Sequence, residues 1–213
     1  MNFLKRATLL TLALLMALGL TACDSLGIGK PDMPMEITID GHTIALGQTS
    51  VNDLADWGWT VKFSGTQNEI KSDAKYVACY FTVRKSEKGS GDQFSVSVWV
   101  PFQKNKTDST HVDFSEEEKM AKEGGVVCRV DVRKDAAENF TVVYNGKDYQ
   151  DLTWDDVKEM GATETQGSNE YSPSYKLEVA QGSLNFKKGY TGEDEPGEFG
   201  LSMNVGAFSK LQK

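Results

Sequence analysis

The sequence predicts an α+β protein dominated by antiparallel sheet, made of two related units that each run hairpin, short helix, β-meander. Three observations carry this expectation. Two extended apolar runs are each broken by a turn dipeptide, Asp40-Gly41 and Asn145-Gly146. Each is followed by a short helix signal with an N-cap hydroxyl and a closing glycine. Beyond these, apolar residues alternate strictly with polar ones over several runs of seven to nine residues, the period of a half-buried strand.

The hairpins come first in each unit. Ile37-Thr38-Ile39 and Thr43-Ile44 flank Asp40-Gly41, and Val142-Val143-Tyr144 and Asp148-Tyr149 flank Asn145-Gly146. Both dipeptides tolerate the positive φ that a tight hairpin turn demands. Ser50 and Thr153 are then N-cap candidates, with acids in the first helical turn where the dipole favours them. Val51, Leu54 and Trp57, and Trp154, Val157 and Met160, form the apolar stripes, and Gly58 and Gly161 end the helices. Strands follow: Val77, Cys79, Phe81 and Val83 share one face, as do Phe94, Val96, Val98 and Val100. In the second unit Leu184 and Phe186, and Phe199, Leu201 and Met203, repeat the pattern at an offset of 105 residues. Ser115-Glu116-Glu117-Glu118 reads as a capping box opening a further helix that Gly124-Gly125 closes, and the strand Val126 to Val132 after it has no counterpart beyond Val205 in this alignment. The helix-plus-meander unit resembles the repeats of β-lactamase-inhibitor proteins and of small outer-membrane assembly lipoproteins, whose units usually carry two helices and a longer glycine-rich opening. Whether the units form one continuous sheet or two packed ones is left open.

The first 23 residues have a different character. Lys5 and Arg6 precede an apolar or small stretch from Ala7 to Leu20, too short for a comfortable membrane span and of signal-peptide size. It ends in Leu20-Thr21-Ala22-Cys23, which resembles the lipobox of bacterial lipoproteins. That resemblance implies cleavage after Ala22 and a diacylglycerol thioether on Cys23, with acyl chains that hold the protein on the extracytoplasmic face of a membrane. Asp24 resembles the inner-membrane retention signal of Gram-negative lipoproteins. The expected organisation is therefore a signal peptide (1–22), a lipid-anchored tether rich in Gly and Pro (23–34), a first unit (35–134) and a second (135–213). Cleavage leaves 191 of 213 residues, with 21 basic against 31 acidic side chains. Such an acidic body argues against nucleic acid as a partner, and it gives the protein no electrostatic pull toward anionic headgroups.

Of the remaining cysteines, Cys79 and Cys128 both point inward if their runs are strands. They form either a disulfide, contributing about 4 kcal/mol in the chain-entropy model, or two buried thiols that behave as small hydrophobes. Catalytic candidates are few. His42 follows the first turn and His111 lies in a polar stretch, without the spacing of metal ligands. The loop Glu193-Asp194-Glu195-Pro196-Gly197-Glu198 lacks the alternating acids of a calcium loop. Asp155 and Asp156 are the carboxylates a hydrolase would use, but adjacent helical residues point about 100° apart. Trp57 and Trp154 sit on apolar helix stripes, whereas Trp99 stands on the strand face opposite Val98 and Val100, beside Ser95 and Ser97, as a candidate contact aromatic.

The sequence thus leads to a non-enzymatic binding module with an envelope protein or glycan as partner, the membrane engaged through Cys23, and neither cofactor nor metal. The alternatives are an envelope hydrolase using acidic residues and, less well matched to 191 residues, a two-lobed solute-binding protein.

Overall fold

The computed structural model describes residues 29–67, 74–85, 93–102, 107–108, 111–112, 114–189 and 194–213; Cys23, Asp24 and the rest of residues 1–28 lie outside them. The fold is α+β and mainly antiparallel sheet, as the alternation requires. In chain order the elements are β1 (Glu36–Ile39), β2 (His42–Ala45), α1 (Val51–Asp56), β3 (Thr60–Thr66), β4 (Tyr76–Arg84), β5 (Gln93–Pro101), β6 (Thr107–Asp108) and β7 (His111–Val112). Then come α2 (Ser115–Gly124), β8 (Val126–Arg133), β9 (Val142–Tyr144), β10 (Lys147–Asp148), α3 (Trp154–Glu159), β11 (Thr163–Glu164), β12 (Ser174–Val179), β13 (Gly182–Lys188), β14 (Pro196–Met203) and α4 (Val205–Leu211). Single 3-10 turns occupy Lys134–Ala136 and Tyr149–Asp151.

Two sheets are shared by both halves of the chain. The larger has eight strands in the order β11-β12-β13-β14-β8-β5-β4-β3, and the smaller has four in the order β10-β9-β1-β2. Both orders read symmetrically about their centres, with β8 against β14 in one and β1 against β9 in the other. The two units therefore form one continuous large sheet. This order also corrects the strand equivalences drawn from the sequence. Each half contributes a four-strand meander, β3-β4-β5-β8 and β11-β12-β13-β14, so β8 occupies the place of β14. A constant offset of 105 is ruled out by register as well: Phe81 faces Val96, whereas Phe186 faces Phe199 and not Leu201. The slip is of two residues, so every side chain keeps its face and the apolar pattern is blind to it.

The turn and cap signals act as read. Asp40 and Asn145 both have φ of 49°, followed by Gly41 and Gly146 at 79° and 76°. Ser50 and Thr153 each complete a capping box with Asp53 and Asp156. The Ser115 capping box does not form: α2 starts at Ser115, its N-cap is Phe114, and no side chain caps it. One core runs through the molecule, joining the inner face of the large sheet (Phe81, Val96, Val130, Leu184, Leu201) to the small sheet (Ile37, Ile39, Val142). The link between β2 and α1 is stitched to β8, with the Gly47 amide donating to Val127 O and the Val127 amide to Thr49 O.

Gly47 has a φ of +80°, and a Cβ there would lie 2.6 Å from Leu211 Cδ1 and 3.2 Å from Met203 Sδ. Left-handed backbone costs a non-glycine residue about 1–3 kcal/mol. Gly47→Ala is therefore expected to lower the unfolding free energy by roughly that amount, measured by urea denaturation, and to loosen α4 at its Leu211 end.

Candidate functional site

The large sheet has one face in the core and one open. Along each strand the inward residues are apolar and, away from the Tyr76–Trp99 end, most outward ones are polar, and the register sets the outward residues into transverse rows. One row crosses Tyr80, Ser97, Arg129, Ser202 and Ser183. The next crosses Thr82, Ser95, Asp131, Gly200 and Asn185. Arg129 bridges the rows by a bidentate pair with Asp131, both hydrogen bonds at 2.6 Å. The Asp131 hydrogen bond also holds the guanidinium proton more firmly than usual. With both side chains over a third exposed, such a pair contributes at most about 1 kcal/mol to stability. Its effect is to fix the orientation of a large polar group at the middle of the face.

Two depressions adjoin there. One of about 340 Å³ lies over Ser64, Tyr80, Thr82, Ser95, Ser97 and Arg129, and another of about 200 Å³ over Asp131, Arg133, Asn185, Lys187 and Gly200. Gly200 leaves room at the boundary, because a Cβ there would stand 2.7 Å from Asp131 Oδ1 and displace that carboxylate. Ser64 and Thr82 hydroxyls bond each other at 2.8 Å, and Arg133 pairs with Asp135 and, at 4.0 Å, with Glu198. The array offers hydroxyls, the guanidinium groups of Arg129 and Arg133 and one phenol in fixed positions, which suits surface recognition.

Trp99 does stand on this outer face, but the structure covers it. Phe208 of α4 meets its ring edge-on at 5.1 Å, and Tyr76 stacks beside it at 6.3 Å. Tyr80, 40% exposed, is the aromatic that the open face presents. It escaped sequence reading, as did Arg129 and Asp131, because only the register between separate strands brings them together. Their outward positions in the period-two pattern were the available signal. Trp57 is half-buried and stacks on His42 at 4.9 Å, and Trp154 packs against Tyr175. His111 belongs to β7, its side chain outside the described residues.

Cys79 and Cys128 are both free and buried, so the disulfide alternative is not the one the structure takes. Their strands, β4 and β8, lie on either side of β5. Two inter-strand steps place them about 10 Å apart, beyond the reach of an S–S bond. Cys128 sits in an irregularity of the β5–β8 ladder and its thiol donates to Ser97 O at 3.2 Å. Burial pushes the Cys79 thiol up to about 11 and raises that of Cys128 further, so both remain protonated at neutral pH.

The hydrolase candidates diverge. Asp155 is 91% exposed and pairs with Lys158, whereas Asp156 caps α3 and pairs with Lys147. Asp194 and Glu195, from the acidic loop, go to Lys188 and Lys134. Among the described residues no group of three or more His, Cys, Asp or Glu side chains converges as metal ligands would, and no helix is long and apolar enough to cross a membrane. Comparison with known proteins adds no relative: no family model, no curated protein and no solved structure matches the chain.

The Asp156 carboxyl is held well below the usual carboxylate range, first by Lys147 and then by the Thr153 hydroxyl and amide. A carboxyl lowered on folding stabilises the fold above its unfolded value of about 3.9 and loses that contribution as pH falls toward the folded value. Asp156→Asn is expected to reduce the melting temperature at pH 7, with the gap to wild type narrowing as pH is lowered below about 4. A gap constant from pH 7 to pH 2 contradicts this account.

Proposed function

We propose that the chain is a lipoprotein, anchored through Cys23 on the extracytoplasmic face of a bacterial membrane, whose folded part is a non-enzymatic module that binds an envelope protein through the open face of the large sheet. The anchor rests on Lys5, Arg6, the apolar stretch and Leu20-Thr21-Ala22-Cys23. The binding role rests chiefly on one observation: an exposed Tyr80 beside the oriented Arg129, above two adjoining depressions in an otherwise hydroxyl-lined sheet. Tyrosine and arginine are the side chains that dominate protein interfaces, since they bury large area at modest entropy cost. Catalysis is disfavoured by pairing: Asp131, the carboxylate next to Ser95, is engaged by Arg129, and the Ser64 and Thr82 hydroxyls are bonded to each other.

The anchor is tested by fractionation, where Cys23→Ala is expected to move the protein from the membrane to the soluble fraction; retention in the membrane overturns the lipoprotein reading. The face is tested separately, by crosslinking in intact cells and mass spectrometry of what the wild type captures. Tyr80→Ala combined with Arg129→Gln is expected to reduce recovery of a protein partner roughly tenfold or more. Trp99→Phe, under α4, is expected to leave it unchanged. Recovery of the same partner by all three proteins, or capture of glycan only, counts against the proposed face.

A further inference from the structure

A second hollow lies on the opposite side of the large sheet, between the hairpin β9–β10, α3 and the inner faces of β13 and β14. It holds about 280 Å³. Its origin is visible by comparing the two hairpin-and-helix segments, which align turn to turn and cap to cap. In the first, His42, Trp57 and Trp59 fill the space. Trp57 stacks on His42, and Trp59 drives edge-on into Phe94 and Phe140 at 5.4 and 6.2 Å. In the second, the aligned residues are Lys147, Met160 and Ala162. Of these, Met160 lines the hollow, a thioether standing where the first half has an indole.

The walls are aromatic. Phe199 lies at the centre of a cluster, with ring centroids 5.2 Å from Tyr144, 5.7 Å from Tyr149 and 5.4 Å from Phe186. Tyr149 is 3% exposed, and its buried hydroxyl has no hydrogen-bond partner among the described residues. The rim is acidic: Asp148, Asp156 and Glu159 stand against Lys147, and Lys147 is already paired with Asp156. Electron-rich ring faces beneath an excess of carboxylates attract cations and repel anions. The volume lies at the small end of ligand sites, room for one ring and a short chain.

We propose that this cavity is a binding site for a small organic cation with an aromatic body, of the arylalkylamine class. The ring lies against Met160 and the edge of Tyr144, above the buried rings of Phe199 and Phe186, and the ammonium group faces Asp148 and Glu159. The site is independent of the open sheet face.

Calorimetric titration of the full chain, held in detergent, tests it with three probes of equal skeleton: 2-phenylethylamine, 2-phenylethanol and 3-phenylpropionate. The amine is expected to saturate with a Kd of about 1 mM or tighter, the alcohol to bind several-fold more weakly, and the carboxylate to give no saturable heat. Met160→Trp, which restores the first half's residue, is expected to weaken the amine at least tenfold. Glu159→Gln, at an exposed position that does not threaten folding, is expected to weaken it about two- to fivefold. If Met160→Trp fails to fold, Glu159→Gln and the carboxylate comparison decide. The proposal is overturned if the amine gives no saturable heat with folded wild type, if the carboxylate binds as tightly, or if a folded Met160→Trp binds the amine undiminished.

Discussion

Val130 against Leu201 and Val132 against Phe199 join the two halves of the chain in the central ladder of the large sheet, and the remaining elements are placed by that junction. All four side chains are at most 2% exposed. At about 1.5–3 kcal/mol each, their burial amounts to roughly 6–12 kcal/mol, the size of a whole domain's net stability. Neither half presents a closed core without the other, because the inner faces of β8 and β14 are covered only when both hairpins are in place. The small sheet repeats the logic with a much shorter seam. Two residue pairs join β1 to β9, and Asp40 reinforces them: its amide donates to Thr141 O, its carboxylate accepts from the Thr141 amide, and it pairs with Lys85 at 2.7 Å. One turn residue thus sets a hairpin and ties it to the other half.

A sheet of eight strands covered on one side must leave the other side wet or find a cover for it. The chain does both. At the end near Tyr76 and Trp99 the outer face becomes aromatic, and α4 folds over it through Phe208, with the Ser209 hydroxyl reaching Tyr76 Oη at 3.4 Å. Across the middle no element among the described residues covers the face, and most outward residues are Ser, Thr, Arg, Asp and Asn. The polar field around Arg129 and the capped patch around Trp99 are two solutions to the same exposure, and Tyr80 is the point where they meet.

Local rules made much of this legible. The Asp40-Gly41 and Asn145-Gly146 turns, the Ser50 and Thr153 caps and the strand faces are decided within a few residues, and the sequence contains those residues. Ser115 shows the limit even there, since the motif was present and the helix formed without using it. Longer-range features were opaque for a definite reason. Apolar alternation has period two, so it fixes a face but not a register or a neighbour. That is why β8 was left without a counterpart, why Cys79 and Cys128 seemed able to meet across a strand that separates them, and why Tyr80 and Arg129 were not seen as one site. The covering of Trp99 depended on Phe208, more than a hundred residues away, and no local pattern announces that contact.

The two halves also differ in how they use the same scaffold, and the difference lies in packing more than in topology. The first half closes its hairpin-to-helix space with His42, Trp57 and Trp59, a set of edge-on and stacked rings that Phe140 of the second half joins. The second half carries Tyr144, Tyr149 and Trp154 on its hairpin, turn and helix, and puts Met160 and Ala162 where the first half has Trp57 and Trp59. The hollow beside Met160 is open to solvent on one side, while the aligned position of the other half carries an indole. The two segments built on one plan thus differ at the surface, one closed by stacked rings and the other leaving a hollow.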